Sequence, residues 1–326
     1  MRAIQISSNG GPEVLAVSDI PEPVGSDSDL IVDVVAAGVN FIDIYQREGL
    51  YPISLPYTPG LEGAGVVQSV GNAVTQFSPG DRVAWTGHLG SYAEVVALPE
   101  DKAVMVPEGI ELQTAAGIML QGLTAHYLVT SVYPVSAGDT ALVHAAAGGV
   151  GLLLCQMIRA RGGTVIGTVS TEVKAEAARW AGAHNVIRYD REDIAPAVRD
   201  ITSGKGVQVV YDGVGKTTFD ASLDSLAPRG VLALFGQSSG PVGSFDPQIL
   251  NQKGSLFLTR PSLTHYTQDS EELRWRASEV FQGLEDETLS FSLHGTYPLE
   301  HASQAHEDLA ARLTSGKVVL TLQASQ

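Results

Sequence analysis

Cysteine and basic residues are both scarce in this sequence. Cys155 is the single cysteine among 326 residues, which excludes an internal disulfide and a thiolate cluster for zinc. Lys and Arg together number 20 against 36 Asp and Glu, so the formal net charge is -16. A chain with this charge repels nucleic-acid backbones and anionic membrane surfaces as a whole. A nucleic-acid partner is therefore disfavoured.

Long apolar runs are also missing. No segment approaches the roughly 20 apolar residues that a helix needs to cross a bilayer. The first residues, MRAIQISSNGGPEVL, lack the apolar stretch of a signal peptide. The hydrophobic fraction of 44% is typical of globular proteins, and 326 residues are enough for two domains. We expect a cytoplasmic two-domain protein with no membrane partner.

The first third of the chain has the pattern of short strands separated by turns. Its strand-like segments are DLIVDVVAAGVN, EGAGVVQSVG and GDRVAWTG. Beyond Pro107 the helical segment ELQTAAGIMLQGLTAHYLVTSV begins an alternation of helices and strands. The strand segments of this part are TALVHAA, TVIGTVS, NVIRYD, VQVVYDGVG and GVLALFG. Their alternation with helices predicts an α/β fold with a parallel, doubly wound sheet.

The last part of the chain no longer shows the regular alternation of strands and helices. Two helical segments, EELRWRASEVFQGLEDE and EHASQAHEDLAARLTSG, precede a closing strand, KVVLTL. We therefore expect a β-rich domain of residues 1–123 and 262–326, split by an inserted α/β domain of residues 124–261.

The stretch HAAAGGVG, residues 144–151, is the clearest functional motif of the α/β part. It lies between a predicted strand and a predicted helix, and Ala146, Gly148 and Gly151 follow the pattern A-x-G-x-x-G. Small residues let the backbone approach a pyrophosphate, and a helix start offers free N–H groups and a positive dipole. We expect the turn to bind a dinucleotide; the alternative is a tight corner that binds no phosphate. His144 has the position of a partly buried residue with satisfied hydrogen bonds.

The residues that follow the second strand of the α/β part indicate which dinucleotide fits. An NAD-binding protein usually has a carboxylate about 20 positions after the glycine motif. Here Ser170 and Thr171 occupy that place, and Lys174 lies one helical turn farther. Hydroxyl groups and a cation suit the 2′-phosphate of NADPH, provided that the carboxylate of Glu172 points to solvent. The alternative is that Lys174 is an ordinary surface residue; we favour NADPH.

Several segments resemble, in the same order, those of the medium-chain dehydrogenase/reductase superfamily. AAGVNFIDIYQREGLYP, TPGLEGAGVVQSVG and PGDRVAW are similar to its N-terminal, GroES-like domain. HAAAGGVG, QGLTAHYL, VVYDGVG, LFGQSSG and SLFLTRPSL narrow the resemblance to the zinc-free quinone oxidoreductase, or zeta-crystallin-like, branch. The resemblance runs from GGPEVL to TRPSL and more loosely to the C-terminus. It implies a GroES-like catalytic domain and a Rossmann domain that binds NADPH.

The residues that bind zinc in the alcohol dehydrogenases of this superfamily are missing. Asn40 stands where those enzymes carry Cys, and Leu61 in PGLE stands where they carry His. Glu62 alone cannot replace a set of about three protein ligands. His301 and His306, five positions apart, are poorly spaced for chelation. We expect no metal site and a zinc-independent reductase of activated acceptors.

The resemblance also implies which residues contact the substrate and the cofactor. As catalytic residues, Asn40 would orient a carboxamide or a carbonyl, and Tyr45 and Tyr51 would stack on or hydrogen-bond a flat quinone. The alternative for either tyrosine is packing between the domains. The implied cofactor-binding residues are Asn40, Thr124, Tyr127, Ala147, Gly148, Gly149, Val150, Gly151, Ser170, Lys174, Tyr189, Val214, Phe235, Gly236, Ser238, Phe257, Thr259, Arg260 and Lys317.

Different members of this set are expected at different parts of the cofactor. Gly149 and Val150 would donate N–H groups to the pyrophosphate, and Thr124 and Tyr127 would approach the nicotinamide. Lys317, in the loop before the last strand, would lie near the adenosine phosphate.

The predicted activity is metal-independent reduction of quinones by NADPH in a cleft between the domains. The sequence leaves open a reductase of α,β-unsaturated carbonyls and an NADPH-binding regulatory or RNA-binding protein. It also leaves open one- or two-electron transfer and the source of the proton. The resemblance implies a homodimer formed by edge strands of the Rossmann domain such as GVLALFG and GSLFLTR.

Overall fold

The computed structural model describes residues 1–322 of the chain. It contains two compact units. Unit 1 comprises Met1–Leu123, Tyr266–Glu287 and Phe291–Gln326, and unit 2 comprises Thr124–His265 and Thr288–Ser290. Unit 2 thus begins at Thr124, and its longer segment ends at His265. The domain boundaries expected from the sequence, 124 and 261, stay a prediction.

The strands and α-helices of the described residues have the following bounds. The strands are β1 (Arg2–Gln5), β2 (Ala16–Asp19), β3 (Asp29–Val39), β4 (Glu62–Val70), β5 (Arg82–Thr86), β6 (Val95–Pro99), β7 (Ala103–Met105), β8 (Thr140–Val143), β9 (Thr164–Val169), β10 (Asn185–Arg188), β11 (Val207–Asp212), β12 (Leu226–Leu234), β13 (Phe257–Thr259), β14 (Leu293–Pro298) and β15 (Lys317–Thr321). The α-helices are α1 (Phe41–Arg47), α2 (Leu112–Tyr127), α3 (Gly149–Ala160), α4 (Glu172–Trp180), α5 (Ile194–Ile201), α6 (Phe219–Ser225), α7 (Gln248–Gln252), α8 (Ser270–Glu285) and α9 (Ala302–Ala310). A π-helical turn, Leu128–Val132, follows α2.

Unit 1 is built on a seven-stranded sheet with the order β14-β15-β3-β4-β5-β7, in which β6 also pairs with β3. The long strand β3 shows why this part folds as a sheet: Leu30, Val32 and Val34 are buried, and the residues between them are half-buried. Such alternation places one set of side chains on the core face. These side chains join Trp85 and Leu98 in the apolar core of the unit.

Unit 2 contains a six-stranded parallel sheet with the order β10-β9-β8-β11-β12-β13. The chain proceeds from β8 outward to β10 and then continues at β11 on the other side of β8. In such sheets ligands bind at the carboxyl ends of the strands where the order reverses, here between β8 and β11. Leu142, Ile166, Val210 and Leu232 supply the strand side of the core. The predicted combination of a β-rich unit and a doubly wound parallel sheet is confirmed.

The sheet edges of unit 2 differ from the sequence expectation in one respect. The segment GVLALFG was expected to form an edge strand, but it lies in β12, which pairs with β11 on one side and β13 on the other. That expectation was wrong because the order of strands depends on contacts between distant segments. The segment GSLFLTR forms β13 at the edge, where the Phe257 side chain is 61% exposed.

Within residues 1–322, no helix is both long enough and apolar enough to span a bilayer.

Candidate functional site

The glycine-rich turn of unit 2 joins β8 to α3 at the point where the strand order reverses. The turn is fixed by backbone hydrogen bonds from His144 N to Tyr211 O (3.0 Å) and from Ala146 N to Thr168 O (3.1 Å). Ala145 has a φ of 50°, an uncommon left-handed conformation for a residue other than glycine. These bonds hold the turn across the ends of three parallel strands.

Close packing explains the last glycine of the motif. A Cβ atom on Gly151 would lie 2.3 Å from the carbonyl oxygen of Ala145. Helix α3 begins at Gly149, so the N–H groups of Gly149 and Val150 belong to the first turn, where a helix has no acceptor of its own for them. The same turn contains the expected residues Ala147 and Gly148. Small side chains and the N–H groups of the first helical turn make this segment suitable for a pyrophosphate.

A buried chain of polar side chains lies beneath the turn. His144 Nδ1 is 3.0 Å from Thr168 Oγ1, and His144 Nε2 is 3.0 Å from Ser222 Oγ. Ser222 Oγ donates to Asp212 Oδ2 at 2.8 Å. Burial lowers the pKa of His144, partly offset by the Asp212 carboxylate. All four side chains are at most 1% exposed, so they position the strand ends and present no nucleophile to a ligand.

Asp212 also organises the loop after β11. Its Oδ1 accepts hydrogen bonds from Val214 N (2.8 Å) and Gly215 N (3.0 Å), and Thr218 Oγ1 donates to the same carboxylate. The segment VVYDGVG contributes to the family resemblance, but no role was predicted for Asp212. The signal available in the sequence was an acidic residue at the end of an otherwise apolar strand, directly before a glycine.

The loops after β11 and β12 are bonded to each other. Phe235 N donates to Asp212 O at 2.9 Å, and Ser238 N donates to Gly213 O at 3.2 Å. The structure thus brings the expected residues Val214, Phe235, Gly236 and Ser238 together at the carboxyl edge of the sheet.

The segment after β9 contains the residues expected to recognise the second phosphate. Thr171 caps α4 by accepting a hydrogen bond from Lys174 N at 3.3 Å, which places Ser170 and the half-buried Lys174 at the same helix start. Glu172 binds Arg179 and Arg188, each at 3.0 Å. These bonds, first that from Arg179, lower the pKa of Glu172. Two guanidinium groups thus neutralise the carboxylate that the sequence left unexplained.

Arg188 is a basic residue that the sequence analysis missed. It ends β10, pairs in register with Val169 of β9, and also binds Asp190 at 2.7 Å. The expected residue Tyr189 follows it and is 44% exposed. Arg188 was hidden because the strand pairing that brings it beside Glu172 cannot be derived from local sequence.

Other expected cofactor residues of unit 2 differ in their accessibility. Thr124 is 7% exposed and Tyr127 only 1%, so Tyr127 offers almost no surface to a ligand in this structure. Thr259 and the exposed Arg260 lie at the carboxyl end of β13, whereas Phe257 begins that strand, in register with Val231.

Two tyrosines of unit 1 form an aromatic pair. The rings of Tyr45, on α1, and Tyr51 have centroids 5.5 Å apart and an interplanar angle of 72°. Tyr51 N donates to Tyr45 O at 3.1 Å, which ties the segment after α1 back to the helix. Both residues are half-buried. The structure therefore brings together these two expected substrate residues.

Asn40, Glu62 and Lys317 form a buried polar cluster in unit 1. The Lys317 ammonium forms an ion pair with Glu62 Oε1 and donates to Asn40 Oδ1 at 2.7 Å. Asn40 Nδ2 donates to Glu62 Oε1 at 2.8 Å. Lys317 is 1% exposed, so the expectation that it binds the adenosine phosphate is corrected: its charge is buried and already paired. Both ends of the Asn40 amide are likewise bonded within unit 1.

A second buried cluster lies beside the first. Asp43 Oδ2 accepts hydrogen bonds from Asn40 N (2.8 Å) and Tyr92 OH (3.1 Å), and Tyr92 OH is 3.1 Å from His306 Nε2. Burial raises the pKa of Asp43 to about 7, and burial lowers the pKa of His306 to about 3. Arg47 Nη1 lies 3.4 Å from His306 Nδ1. His306 is thus a bonded core residue.

Potential metal ligands are dispersed in the part of the chain that the structure describes. Among residues 1–322, no group of three or more His, Cys, Asp and Glu side chains could hold a metal ion. Metal independence of the reaction stays a prediction.

Proteins similar to this chain match almost its whole length. The family models for an alcohol dehydrogenase GroES-like domain and a zinc-binding dehydrogenase match residues 26–108 and 149–275. A quinone oxidoreductase from Pseudomonas aeruginosa is 47% identical, over 98% of this chain and 99% of that protein. A 2-haloacrylate reductase from a Burkholderia species is 40% identical, over 99% of each chain. The crystal structure of Escherichia coli quinone oxidoreductase complexed with NADPH has a TM-score of 0.97 at 42% identity, covering 99% of this chain and 100% of that one.

Proposed function

Because the chain belongs to the quinone oxidoreductase branch of the medium-chain dehydrogenase/reductase superfamily, we propose that it reduces quinones with NADPH. In this proposal NADPH binds to unit 2, and Tyr45 and Tyr51 of unit 1 contact the quinone. The chain is an NADPH-dependent oxidoreductase, as its similarity to quinone oxidoreductases over nearly its full length indicates. The quinone and the two tyrosine contacts are the proposal.

The residues of unit 2 fit NADPH at both of its charged groups. The first turn of α3 offers the N–H groups of Gly149 and Val150 to the pyrophosphate. Ser170 and Lys174 provide a hydroxyl and a cation for the 2′-phosphate, and Tyr189 follows at the end of the neighbouring strand. NADPH supplies a hydride when bound, and the chain's residues hold and orient it.

Unit 1 supplies an aromatic surface for the acceptor. Tyr45 and Tyr51 pack edge to face. Their rings can stack on a flat quinone, and their hydroxyl groups can hydrogen-bond its oxygens. The overall reaction transfers a hydride and one proton to the quinone and gives a hydroquinone and NADP⁺. Alignment of donor and acceptor is the main catalytic contribution of the protein.

The observation that carries this proposal is the half-buried, edge-to-face pair of Tyr45 and Tyr51 in a chain 47% identical to a quinone oxidoreductase. The test is steady-state consumption of NADPH and of NADH with benzoquinones, naphthoquinones and phenanthrenequinone. We expect quinone-dependent oxidation of NADPH at a higher kcat/KM than of NADH. Binding of NADPH without turnover of any acceptor would instead favour a regulatory protein.

A second candidate function is reduction of an activated carbon–carbon double bond. The 40% identity to a 2-haloacrylate reductase favours it, because a haloacrylate carries an electron-poor alkene next to a carboxylate. The acceptor panel should therefore include enones, enals and 2-chloroacrylate. Faster turnover of these compounds than of quinones would replace the first candidate with the second.

We also propose that two copies associate through β13. Among residues 1–322, strand β13 pairs only with β12, and Phe257 at its start is 61% exposed. An edge strand with an exposed aromatic side chain is a ready site for pairing with another chain. Sedimentation equilibrium of the wild type and Phe257→Asp tests this: we expect a dimer and a weakened dimer, respectively, and a monomeric wild type would contradict it.

A further inference from the structure

The ion pair between Lys317 and Glu62 is buried deep within unit 1. Lys317 begins β15 and Glu62 begins β4, and their side chains are 1% and 0% exposed. Removing two charges from water costs several kcal/mol for each ion, so replacing such a pair by apolar residues is often neutral or stabilising. The stability of the fold alone therefore does not explain the ion pair. A second role for the pair is to hold the residues that it binds in place.

The polar atoms of Glu62 are used completely by neighbouring elements. Its Oε1 binds Lys317 and Asn40 Nδ2, and its Oε2 accepts a hydrogen bond from Leu120 N of α2 at 2.6 Å. The packing is close, because a Cβ on Gly38 would lie 2.2 Å from Glu62 Oε1. Residues of β15, β4 and α2 and the residue before α1 thus meet in one small cluster.

Within the cluster, Asn40 is the residue nearest in sequence to the proposed acceptor residues, Tyr45 and Tyr51. Its Oδ1 faces the ammonium and its Nδ2 faces the carboxylate, so the orientation of the amide is determined at both ends. Asn40 directly precedes α1, and its N–H donates to Asp43 Oδ2 in the first turn at 2.8 Å. Helix α1 carries Tyr45, whose carbonyl accepts from Tyr51 N. The ion pair is therefore connected, through Asn40, to the start of the helix that carries Tyr45 and binds Tyr51 through the Tyr45 carbonyl.

We propose that Lys317, paired with Glu62, is a positioning residue for the acceptor: it holds Asn40 and the start of α1 so that Tyr45 and Tyr51 keep the arrangement that binds the acceptor. The inference rests on the proposed function, since it takes the tyrosine pair as the acceptor surface. Lys317 acts through Asn40 and touches neither cofactor nor acceptor.

Three variants separate positioning from stability. Asn40→Ala keeps the direct ion pair and the backbone N–H bond to Asp43, but it removes the amide that connects the ion pair to the start of α1. Glu62→Gln combined with Lys317→Met removes both charges and so leaves no unpaired buried ion. The triple variant combines all three changes. Lys102→Met is the matched control in the same unit, since Lys102 is 28% exposed and contacts Asp101 at 3.6 Å.

The measurements are the acceptor KM and kcat, the NADPH Kd and the Tm, with the acceptor that the wild type reduces best. We expect Asn40→Ala and the double variant each to raise the acceptor KM about tenfold, because misplacement of a binding surface is costly. The triple variant should show the same increase and no more. The NADPH Kd should stay within about twofold of wild type in every variant, since unit 2 is unchanged.

The outcomes distinguish this inference from the proposed function. A folded double variant with a wild-type acceptor KM, or a triple variant whose effect is the product of the other two, would overturn the positioning role. If the variants have a lower Tm but the same ratio of acceptor KM to NADPH Kd as the wild type, Lys317 contributes to stability alone. A wild-type protein that reduces no quinone would instead overturn the choice of acceptor, and the variants are then compared with the acceptor it does reduce.

Discussion

Glu172 and Arg188 form an ion pair of 3.0 Å at the start of α4, beside Ser170 and Lys174. The carboxylate also binds Arg179, so both of its oxygens face guanidinium groups. A free carboxylate here would repel a 2′-phosphate, whereas a carboxylate neutralised by two guanidinium groups does not. We therefore expect the preference for NADPH to depend on this arrangement of charges as well as on Lys174.

Lys174→Glu should weaken the preference for NADPH over NADH. The exchange removes a cation and adds a second carboxylate at the helix start, where a phosphate would bind. We expect the NADPH Kd to rise about 10- to 100-fold, the range expected for loss of a charge-assisted hydrogen bond, and the NADH Kd to change little. Titration by quenching of protein fluorescence measures both. Lys205→Glu, at an exposed position of unit 2, is the control; equal losses for the two cofactors would contradict the assignment.

Gly151→Ala should disturb the glycine-rich turn. The new Cβ would lie 2.3 Å from Ala145 O, a backbone atom that cannot move aside without shifting the turn. We expect a loss of about 1–3 kcal/mol in the free energy of unfolding, together with weaker NADPH binding. Gly243→Ala provides the comparison in unit 2, because a Cβ there meets no atom within 4 Å. Urea denaturation checks the difference, and equal stabilities of the two variants would speak against the close approach.

Ser222→Ala should loosen the buried chain beneath the turn. The change removes a donor to Asp212 and a partner of His144, and leaves buried polar atoms without their hydrogen bonds. The expected cost is about 1–3 kcal/mol in the free energy of unfolding. Ser225→Ala, on the same helix, removes only the bond from Ser225 Oγ to Ala221 O. If the two alanine variants lose equal stability, the polar chain has no special role.

The stability of unit 1 should depend on pH through Asp43. Burial raises its pKa from 3.8 to about 7, so the folded state binds the proton more tightly than the unfolded state. The resulting stability is present below about pH 4 and is lost as the pH rises towards 7. His306 contributes in the opposite direction, since its pKa is lowered to about 3 and stability is lost as the pH falls below 6.5.

Asp43→Asn isolates the first contribution, because the amide resembles the protonated acid and does not titrate. Between pH 5 and 8 the wild type should lose on the order of 1–3 kcal/mol more than the variant, at about 1.4 kcal/mol for each unit of pKa shift. Chemical denaturation at several pH values measures the two curves. Parallel curves would mean that Asp43 does not titrate in this range.

The glycine-rich turn and the alternating strands could be predicted because their signals are local. The eight residues HAAAGGVG include both Gly151 and Ala145, whose close approach requires glycine at position 151. The alternation of buried and half-buried residues in β3 is equally visible in the sequence. These features depend on neighbours within a few positions, so a single sequence contains them.

Lys317 could not be placed because its partners lie far away along the chain. The segment TSGKVVL looks like an exposed loop before a strand, and only the pairing of β15 with β3 brings Lys317 near Asn40 and Glu62. Arg188 was missed for the same reason. Asp212 was missed although its partners Val214, Gly215 and Thr218 are close in sequence. A buried charge is visible only once the side chains that surround it are known.

The most direct test of the account is the steady-state reaction of the purified protein with NADPH and a simple benzoquinone. We expect NADPH to be oxidised only when the quinone is present, with one hydroquinone formed for each NADPH consumed, and NADH to be a poorer donor. Failure to oxidise NADPH with any quinone in the panel, by a protein that binds NADPH, would contradict it.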